Sequence, residues 1–351
     1  MDVEDEDLLV GMVAAGIAIQ ELEHGIDMDV AAHAATLSRR TKQLRNRVRK
    51  LAPRNHATPR GERRPAGTGK KQYRNVSLID DDVNFLEDTG LSAELFTNLY
   101  HRMLPVLTAP RITADGPKKR FIARTWTPMS RLYMVVRWLR HMETYRRIAR
   151  MMGGSAATVS REIWDLIPKL YVELRNDIRL PTAEQVADLP TFLTASGAID
   201  CTSHVRNRVH PWSTEYYRGD KHAHFITAQL VCALRGTLWD VALGPGHNND
   251  QGMMHLTGME RTILDELATR LLADKGYTLD MVVRPDDVDG LLRVQHAGYR
   301  SVVEQAFALV HLFAAATLKF RASPEMQEMV LIVIYALVAS KIELIPLRTL
   351  N

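Results

Sequence analysis

Apolar residues recur every three or four positions through much of the first half of the chain, a spacing that predicts amphipathic helices. The stripe over residues 1–52 predicts a helical arm. Two shorter helical patterns follow at 81–88 and 92–104, and Asp81 and Ser92 can cap them. The first hundred residues are therefore expected to be helical where they are ordered.

Three consecutive helical patterns occupy residues 125–174. Thr127 can cap the first helix and Pro128 suits its first position, where a backbone N–H is not needed. The second pattern covers 143–152 and ends at the pair Gly153-Gly154, which breaks the periodicity. Short helices joined by a glycine-containing turn are typical of a helix-turn-helix motif.

The third helix of that pattern can be capped by Ser155, and Pro168 is expected to end or kink it. In helix-turn-helix motifs this helix enters the major groove of DNA. Ser155, Thr158 and Arg161 are thus candidates for contacting base edges or phosphates. A purely structural helical hairpin has the same periodicity, so both interpretations stay open.

The second half of the chain changes character, with β-rich apolar runs before further helical patterns. Strands are predicted at 196–201, 224–234, 237–243 and 279–284, and helices at 259–272, 301–318 and 326–339. Strands followed by alternating strand and helix predict an α/β fold with a mixed sheet.

Charge and composition divide the chain further. Between Arg39 and Arg74 there are fourteen Lys or Arg residues against one acid, and the later part of this stretch is rich in Pro and Gly. This segment is either a solvated connector or an arm that binds polyanions. The predicted organisation is a helical arm (1–52), a basic linker (53–75), a helical region (76–180) that contains the helix-turn-helix (125–174), and an α/β domain (190–351).

Composition also excludes several classes of protein. Cys201 and Cys232 alone cannot build a disulfide framework or a zinc site. The longest apolar run, 329–339, falls well short of the ~20 residues that span a bilayer. The acidic N-terminal residues do not resemble a secretory signal. We therefore expect a soluble intracellular protein without membrane partners.

Three acids occupy positions that suggest chemistry. Asp200 and Asp274 each close an apolar run, and Glu304 lies on an apolar helical face. Acids that follow buried strands lie at the edge of a sheet, where α/β folds form ligand sites. Carboxylates that converge there repel one another unless a cation neutralises them, and Mg²⁺ prefers oxygen ligands (Mn²⁺ can substitute). Two such ions can activate a nucleophile and stabilise the leaving oxygen of a phosphodiester.

Several segments, in order, resemble the Harbinger-type (PIF/Harbinger) DDE transposases. The segments that carry the resemblance are Ala198-Ile199-Asp200-Cys201-Thr202, Tyr216-Tyr217-Arg218-Gly219-Asp220-Lys221 with Gln229, Gly244-Pro245-Gly246-His247-Asn248-Asn249-Asp250, Ala273-Asp274-Lys275-Gly276-Tyr277 and Tyr299-Arg300-Ser301-Val302-Val303-Glu304-Gln305-Ala306-Phe307. The 131–174 segment also resembles the helix-turn-helix of that family, so the resemblance covers about 125–320.

The resemblance implies an RNase H-like fold in which Asp200, Asp274 and Glu304 hold the catalytic divalent metal. It places Arg300 one helical turn before Glu304, where it can contact phosphate. Asp250 matches a recurrent acid of the family and is expected in an accessory role on a loop. The sequence departs from the family pattern at Cys201, where glycine is usual, and at His311, where lysine is frequent.

The leading hypothesis is a transposase that cuts and joins DNA at transposon ends and at a target, in the nucleus and as a homo-oligomer. The resemblance also implies a separate Myb-like DNA-binding partner. One alternative is a domesticated, catalytically silent DNA-binding derivative. Another is a helix-turn-helix regulator with an unrelated α/β sensor domain, for which the acids of the proposed triad would not converge.

Overall fold

The protein is described by a computed structural model. It describes residues 82–109, 112–113, 116–117, 126–211 and 213–347. The predicted helical arm over 1–52, the basic linker over 53–75 and the cap at Asp81 lie outside the described residues. All described residues belong to one compact unit.

Helices make up most of the region before the sheet. They are α1 (Asp82–Thr89), α2 (Ala93–Thr108), α3 (Pro128–His141), α4 (Tyr145–Met152), α5 (Ala156–Leu174) and α6 (Ala183–Ala187). The side chains of Ser92, Thr127 and Ser155 each accept a hydrogen bond from the third residue of the following helix, as the sequence predicts. The second helix of the 125–174 segment begins at Tyr145, with Thr144 as its N-cap, and not at Glu143.

Pro168 neither ends nor interrupts α5, which continues for six residues beyond it. The apolar side chains on both sides of the proline are buried, including Ile167, Leu170 and Leu174. Proline removes one backbone hydrogen bond from a helix, a cost that packing of an apolar face can exceed. Tertiary contacts thus override the local signal.

The buried side chain of Arg131 connects three helices of the helical region through hydrogen bonds. Its Nε atom donates to Oε2 of Glu162 at 2.6 Å, and Nη1 donates to the carbonyl oxygen of Leu107 at 2.8 Å. The side chain of Arg131 is only 1% exposed. One buried cation therefore joins α3 to both α2 and α5, and a buried charge is tolerated where its donors are satisfied in this way.

The strands form a small hairpin and one larger sheet. They are β1 (Ile112–Thr113), β2 (Gly116–Pro117), β3 (Ala195–Arg206), β4 (Tyr217–Arg218), β5 (Ala223–Ala233), β6 (Leu238–Pro245), β7 (Arg270–Leu272) and β8 (Val282–Val283). In the larger sheet β3 lies between β5, which is antiparallel to it, and β7, which is parallel. The far edges are formed by β4 and β6 beyond β5, and by β8 beyond β7. This open mixed sheet, flanked by helices, fits an RNase H-like fold.

The remaining helical segments lie between strands of the larger sheet or follow its last strand, β8. They are α7 (Ser213–Tyr216), α8 (Asp250–Thr257), α9 (Met259–Arg261), a π-helical turn (Thr262–Glu266), a 3₁₀ turn (Pro285–Asp287), α10 (Gly290–His311), α11 (Ala314–Thr317) and α12 (Pro324–Leu344). Three predictions need correction. The predicted helix over 259–272 ends early, because the chain turns at Ala268 (φ 50°) and β7 pairs with β3. The predicted strand at 279–284 is limited to β8, and the helix predicted from 301 begins at Gly290.

The apolar run 329–339 lies in α12, which is buried on nearly all sides. A helix that is apolar all round belongs in a core. Within the described residues, no helix combines the length and apolar character required to cross a bilayer. His204 on β3 connects the sheet to α12, because its Nε2 lies 3.0 Å from the hydroxyl of Tyr335. The helical region and the sheet share one continuous hydrophobic core.

Asp240 on β6 is a partly buried acid whose carboxylate is not fully compensated. Its Oδ2 atom is buried and makes no hydrogen bond among the described residues. Burial raises the pKa of Asp240 to about 6, although a backbone hydrogen bond from Val241 acts in the opposite direction. The ionised carboxylate therefore opposes folding at neutral pH.

We predict that Asp240→Asn stabilises the protein increasingly as pH rises. The folded-state pKa is raised, so the wild-type residue contributes stability below its unfolded pKa and loses it between about pH 4 and pH 6. The gain of the variant should reach on the order of 1–2 kcal/mol above pH 7 and vanish near pH 4. Chemical denaturation across this range measures it.

Asp287→Asn provides a control of opposite sign, because hydrogen bonds from Arg284 hold the pKa of Asp287 below its usual value. That variant should lose rather than gain stability at neutral pH. A pH-independent difference between wild type and Asp240→Asn would contradict the interpretation.

Candidate active site

The register between β3 and β7 brings two acids together. Ala198 of β3 lies opposite Leu272 of β7, and the two strands are parallel. Asp200 stands two residues further along β3 and Asp274 stands two residues beyond the end of β7, so the two acids occupy neighbouring positions. β7 ends at Leu272, whereas β3 continues to Arg206. Asp200 thus lies in the middle of a long strand, which corrects the expectation that it closes one.

Asp200 is largely buried, with 20% of its side chain exposed. Its Oδ1 accepts a hydrogen bond from the backbone N–H of Cys201 at 2.7 Å, and its Oδ2 lies 3.2 Å from Nη1 of Arg300. The pKa of Asp200 is raised to about 6, mainly by burial and also by the charges of Asp274 and Asp250, while the hydrogen bond from Cys201 and the charge of Arg300 act in the opposite direction. The positive charge of Arg300 is therefore too weak to offset the burial of the Asp200 carboxylate and the negative charges beside it.

Asp250 joins this group from the opposite side of the site. Expected in a loop, it is in fact the first residue of α8, whose N-cap Asn249 accepts a hydrogen bond from Gly252 N at 2.8 Å. Burial raises the pKa of Asp250, and the charge of Asp274 raises it further. Negative charge at the start of a helix is favourable, and this accounts in part for its placement.

Gly276 allows Asp250 and Asp274 to approach the same point. A Cβ atom at this glycine would lie 2.9 Å from Oδ2 of Asp250 and 3.1 Å from Oδ1 of Asp274. The backbone N–H of Gly276 also donates to Oδ1 of Asp274 at 2.8 Å. A side chain at this position would therefore displace both carboxylates.

Glu304 lies on α10 and approaches the site less closely. Its side chain is 52% exposed and forms an ion pair with Nη2 of Arg300. Because Arg300 also contacts Asp200, one guanidinium links Glu304 to the buried acids. The structure thus places Asp250 and Asp274 together at Gly276 with Asp200 near enough for their charges to act on it, and Glu304 is connected to Asp200 through Arg300.

The remaining residues near the acids carry little reactivity of their own. The thiol of Cys201 lies 3.5 Å from the hydroxyl of Tyr277, and burial raises the pKa of both groups. Neither group ionises readily, so neither is suited to act as a nucleophile. Within the described residues, no three His, Cys, Asp or Glu side chains are already arranged as ligands of one metal ion.

The three candidate DNA-binding residues lie together at the start of α5, away from these acids in sequence. The hydroxyl of Ser155 accepts a hydrogen bond from Thr158 N at 3.2 Å and lies 3.0 Å from the hydroxyl of Thr158. Arg161 is exposed and lies 3.3 Å from the carbonyl oxygen of Ala157. Ser155 is therefore engaged in capping the helix, and Arg161 has the accessible charge.

The acids lie in a segment that resembles a known family. Residues 199–338 match the family model of DDE superfamily endonucleases. The match supports a transposase-derived nuclease family and covers less than half of the chain. It includes Asp200, Asp250, Asp274 and Glu304 and does not resolve a Harbinger subtype. No curated protein and no solved structure matched the chain.

Asp250 lies at the start of a helix and not on the expected loop. A signal was present, because Asn249 precedes Asp250 and the apolar pair Met253 and Met254 follows at helical spacing. That pattern predicts a helix start rather than a loop. The proximity of Asp250 to Asp274 had no sequence signal, because it depends on how α8 packs beside the end of β7.

We predict that Asp274→Asn stabilises the metal-free protein at pH 8. The change removes a charge that repels Asp200 and Asp250, while the amide oxygen can still accept from Gly276 N. A rise of about 1–3 °C in the melting temperature is expected in EDTA. Thermal denaturation measures it, with Asp265→Asn as the control because that exposed acid pairs with Arg261. An unchanged or lower melting temperature for Asp274→Asn would contradict the repulsion.

Proposed function

We propose that the protein is a metal-dependent DNA endonuclease of the DDE type, with Asp200, Asp274 and Glu304 as the catalytic, metal-binding acids. The observation that carries the proposal is the convergence of Asp200, Asp274 and Asp250 at the end of β7. The match of the surrounding segment to DDE superfamily endonucleases supports it. The family implies DNA as the substrate and a divalent cation as the cofactor.

The donor chemistry of the site fits such a cation. The candidate ligands are carboxylate oxygens, which Mg²⁺ and Mn²⁺ prefer. Like charges raise the pKa of both Asp200 and Asp250, so binding of a cation would relieve a repulsion that already exists. Coordination by Glu304 would require it to leave Arg300. Asp250 is proposed as an additional carboxylate of the site, in an accessory role.

A bound divalent metal in such a site supplies activation of water and stabilisation of the leaving oxygen of a phosphodiester. The residues of this chain hold and orient the reacting groups. Asp200 is fixed by the Cys201 N–H, and Asp274 by the Gly276 N–H. Arg300, once released from Glu304, is free to contact a phosphate oxygen of the DNA.

The finer assignment is a Harbinger-type transposase that cuts transposon ends and joins them to target DNA. It rests on the motif resemblance and on the order of the motifs. This assignment includes four further proposals: a nuclear location, a homo-oligomeric state, a Myb-like DNA-binding partner, and DNA contacts by Ser155, Thr158 and Arg161. The domain boundaries proposed from the sequence belong to the same assignment.

A second candidate is a domesticated, catalytically silent DNA-binding derivative. One observation favours it: Arg300 pairs with both Asp200 and Glu304, which gives those carboxylates a permanent cationic partner. In a silent derivative this ion-pair network would replace the metal. The unrelated-sensor alternative predicts no convergence of Asp200, Asp274 and Glu304, and the neighbouring positions of Asp200 and Asp274 count against it.

Cleavage decides between the two leading candidates. We predict Mg²⁺- or Mn²⁺-dependent nicking of transposon-end DNA, which Asp274→Asn reduces by at least about 100-fold while DNA binding survives. Nicking assays measure the first effect and fluorescence anisotropy the second. Cleavage that persists in Asp274→Asn would show that the assignment of the acids is wrong.

Metal binding provides a readout that does not depend on knowing the DNA sequence. Titration with Mn²⁺ should raise the melting temperature of the wild type, because a ligand that binds only the folded state stabilises it. Asp274→Asn should respond less, and Asp265→Asn should respond as the wild type does. No response of the wild type would favour the silent derivative.

A further inference from the structure

The turn between β4 and β5 carries two cations beside the acids. Arg218 ends β4, and Lys221 lies two residues before β5 begins. Neither residue belongs to the set that the metal-binding proposal uses. Their position relative to β3 suggests a separate role.

Arg218 contacts the face of β3 that α8 covers, not the face of Asp200: side chains alternate along a strand, Cys201 pairs with Gln229 on this face, and Gln229 accepts a hydrogen bond from Thr257 of α8. Its Nη1 donates to the hydroxyl of Ser203 at 3.0 Å, and the thiol of Cys201, two residues earlier on this face, lies beside Tyr277. Residues two apart on a strand share a face and are separated by about 7 Å. Thr227, the partner of Ser203 on β5, donates from its hydroxyl to the carbonyl oxygen of Asn248 at 3.3 Å, two residues before Asp250, so Arg218 lies near the start of α8.

Asp220 fixes the orientation of Arg218. Nε and Nη2 of the guanidinium donate to the two carboxylate oxygens of Asp220, at 3.1 Å and 2.8 Å. An arginine has five N–H donors. Among the described residues three of them are used, so two N–H groups of Arg218 are left for an external acceptor. A guanidinium held in this way loses little freedom when it binds.

Lys221 is the less constrained of the two cations. Its ammonium lies 5.5 Å from the centre of the Phe225 ring, and the side chain is exposed. In the part of the chain that the structure describes, no carboxylate lies within ion-pair distance of it. Arg218 and Lys221 both influence Asp250 electrostatically, and their charges lower its pKa. The two cations are thus near the acids without neutralising them through direct contact.

We propose that Arg218 and Lys221 form a phosphate-binding turn that holds the DNA backbone next to the carboxylates. They are positioning residues, and the inference rests on the proposed nuclease function. The ammonium of Lys221 can attract a phosphate oxygen as a point charge. The oriented guanidinium of Arg218 can donate directed hydrogen bonds to an adjacent phosphate. The acids alone would repel DNA, so a nearby cationic surface is needed to hold it there.

The test uses the full chain and a labelled mixed-sequence DNA duplex in EDTA, so that binding is measured without cleavage. Lys221→Gln and Arg218→Gln should each weaken binding by about three- to fivefold. Each should also reduce the slope of log affinity against log salt by about 0.9, as expected for the loss of one phosphate contact. The matched control is Arg261→Gln, which removes the same charge from a side chain that is 86% exposed.

The variant Asp220→Asn distinguishes the effect of Arg218 orientation on DNA binding from the effect of net charge. If only charge mattered, removing this acid would tighten DNA binding. If Asp220 orients Arg218, binding should weaken by about twofold or more despite the lost negative charge. Weaker binding supports the proposed turn, and tighter binding overturns the role of Arg218. Melting curves establish that each variant is folded.

The outcomes distinguish this inference from the proposed function. If the wild type cleaves DNA and Lys221→Gln keeps the same affinity, salt slope and KM, the phosphate-binding turn is wrong while the nuclease assignment stands. If the wild type binds DNA but does not cleave it, and Lys221→Gln weakens that binding, the turn stands and the nuclease assignment fails. If the wild type does not bind DNA, the proposal of a phosphate-binding turn is wrong.

Discussion

The parallel pairing of β3 with β7 is the constraint on which the candidate site depends. Because Ala198 lies opposite Leu272, Asp200 and Asp274 must stand side by side where β7 ends. A shift of one residue would turn the side chains of β7 to the other face and separate the acids. β3 can extend past this point because β5 pairs with it as far as Arg206. Because β3 is long and its parallel neighbour β7 is short, the Asp200 carboxylate lies at a point where the neighbouring strand has already ended.

Placing acids so close together creates a charge imbalance that the surroundings only partly correct. The backbone N–H groups of Cys201 and Gly276 each donate to one carboxylate, and Arg300 bridges Asp200 and Glu304. Burial still leaves the pKa of Asp200 at about 6. Such imbalance is typical of functional sites, where stability is lower than packing alone would allow. It gives a physical reason for a cation to bind here.

The helical region supports the site through a common core rather than through direct contact with the acids. α12 is buried on nearly all sides and packs against both α5 and the sheet, so Pro168 is accommodated within a helix that its own sequence would break. The buried Arg131 joins α2, α3 and α5 in the same way. These contacts hold the start of α5, with its exposed Arg161, in a defined position relative to the described sheet.

The sequence by itself determined the caps at Ser92, Thr127 and Ser155 and the α/β order of the second half, and it singled out Asp200 and Asp274 as candidate acids. These features depend on local hydrogen bonds and on the period of apolar residues, which a sequence displays directly. Only the tertiary structure decided that Asp200 lies within a strand, that Asp250 approaches Asp274 at Gly276, and that Arg300 connects Glu304 to Asp200. The physical reason is that strand register and helix packing bring together residues far apart in the chain, and local periodicity carries no information about such contacts.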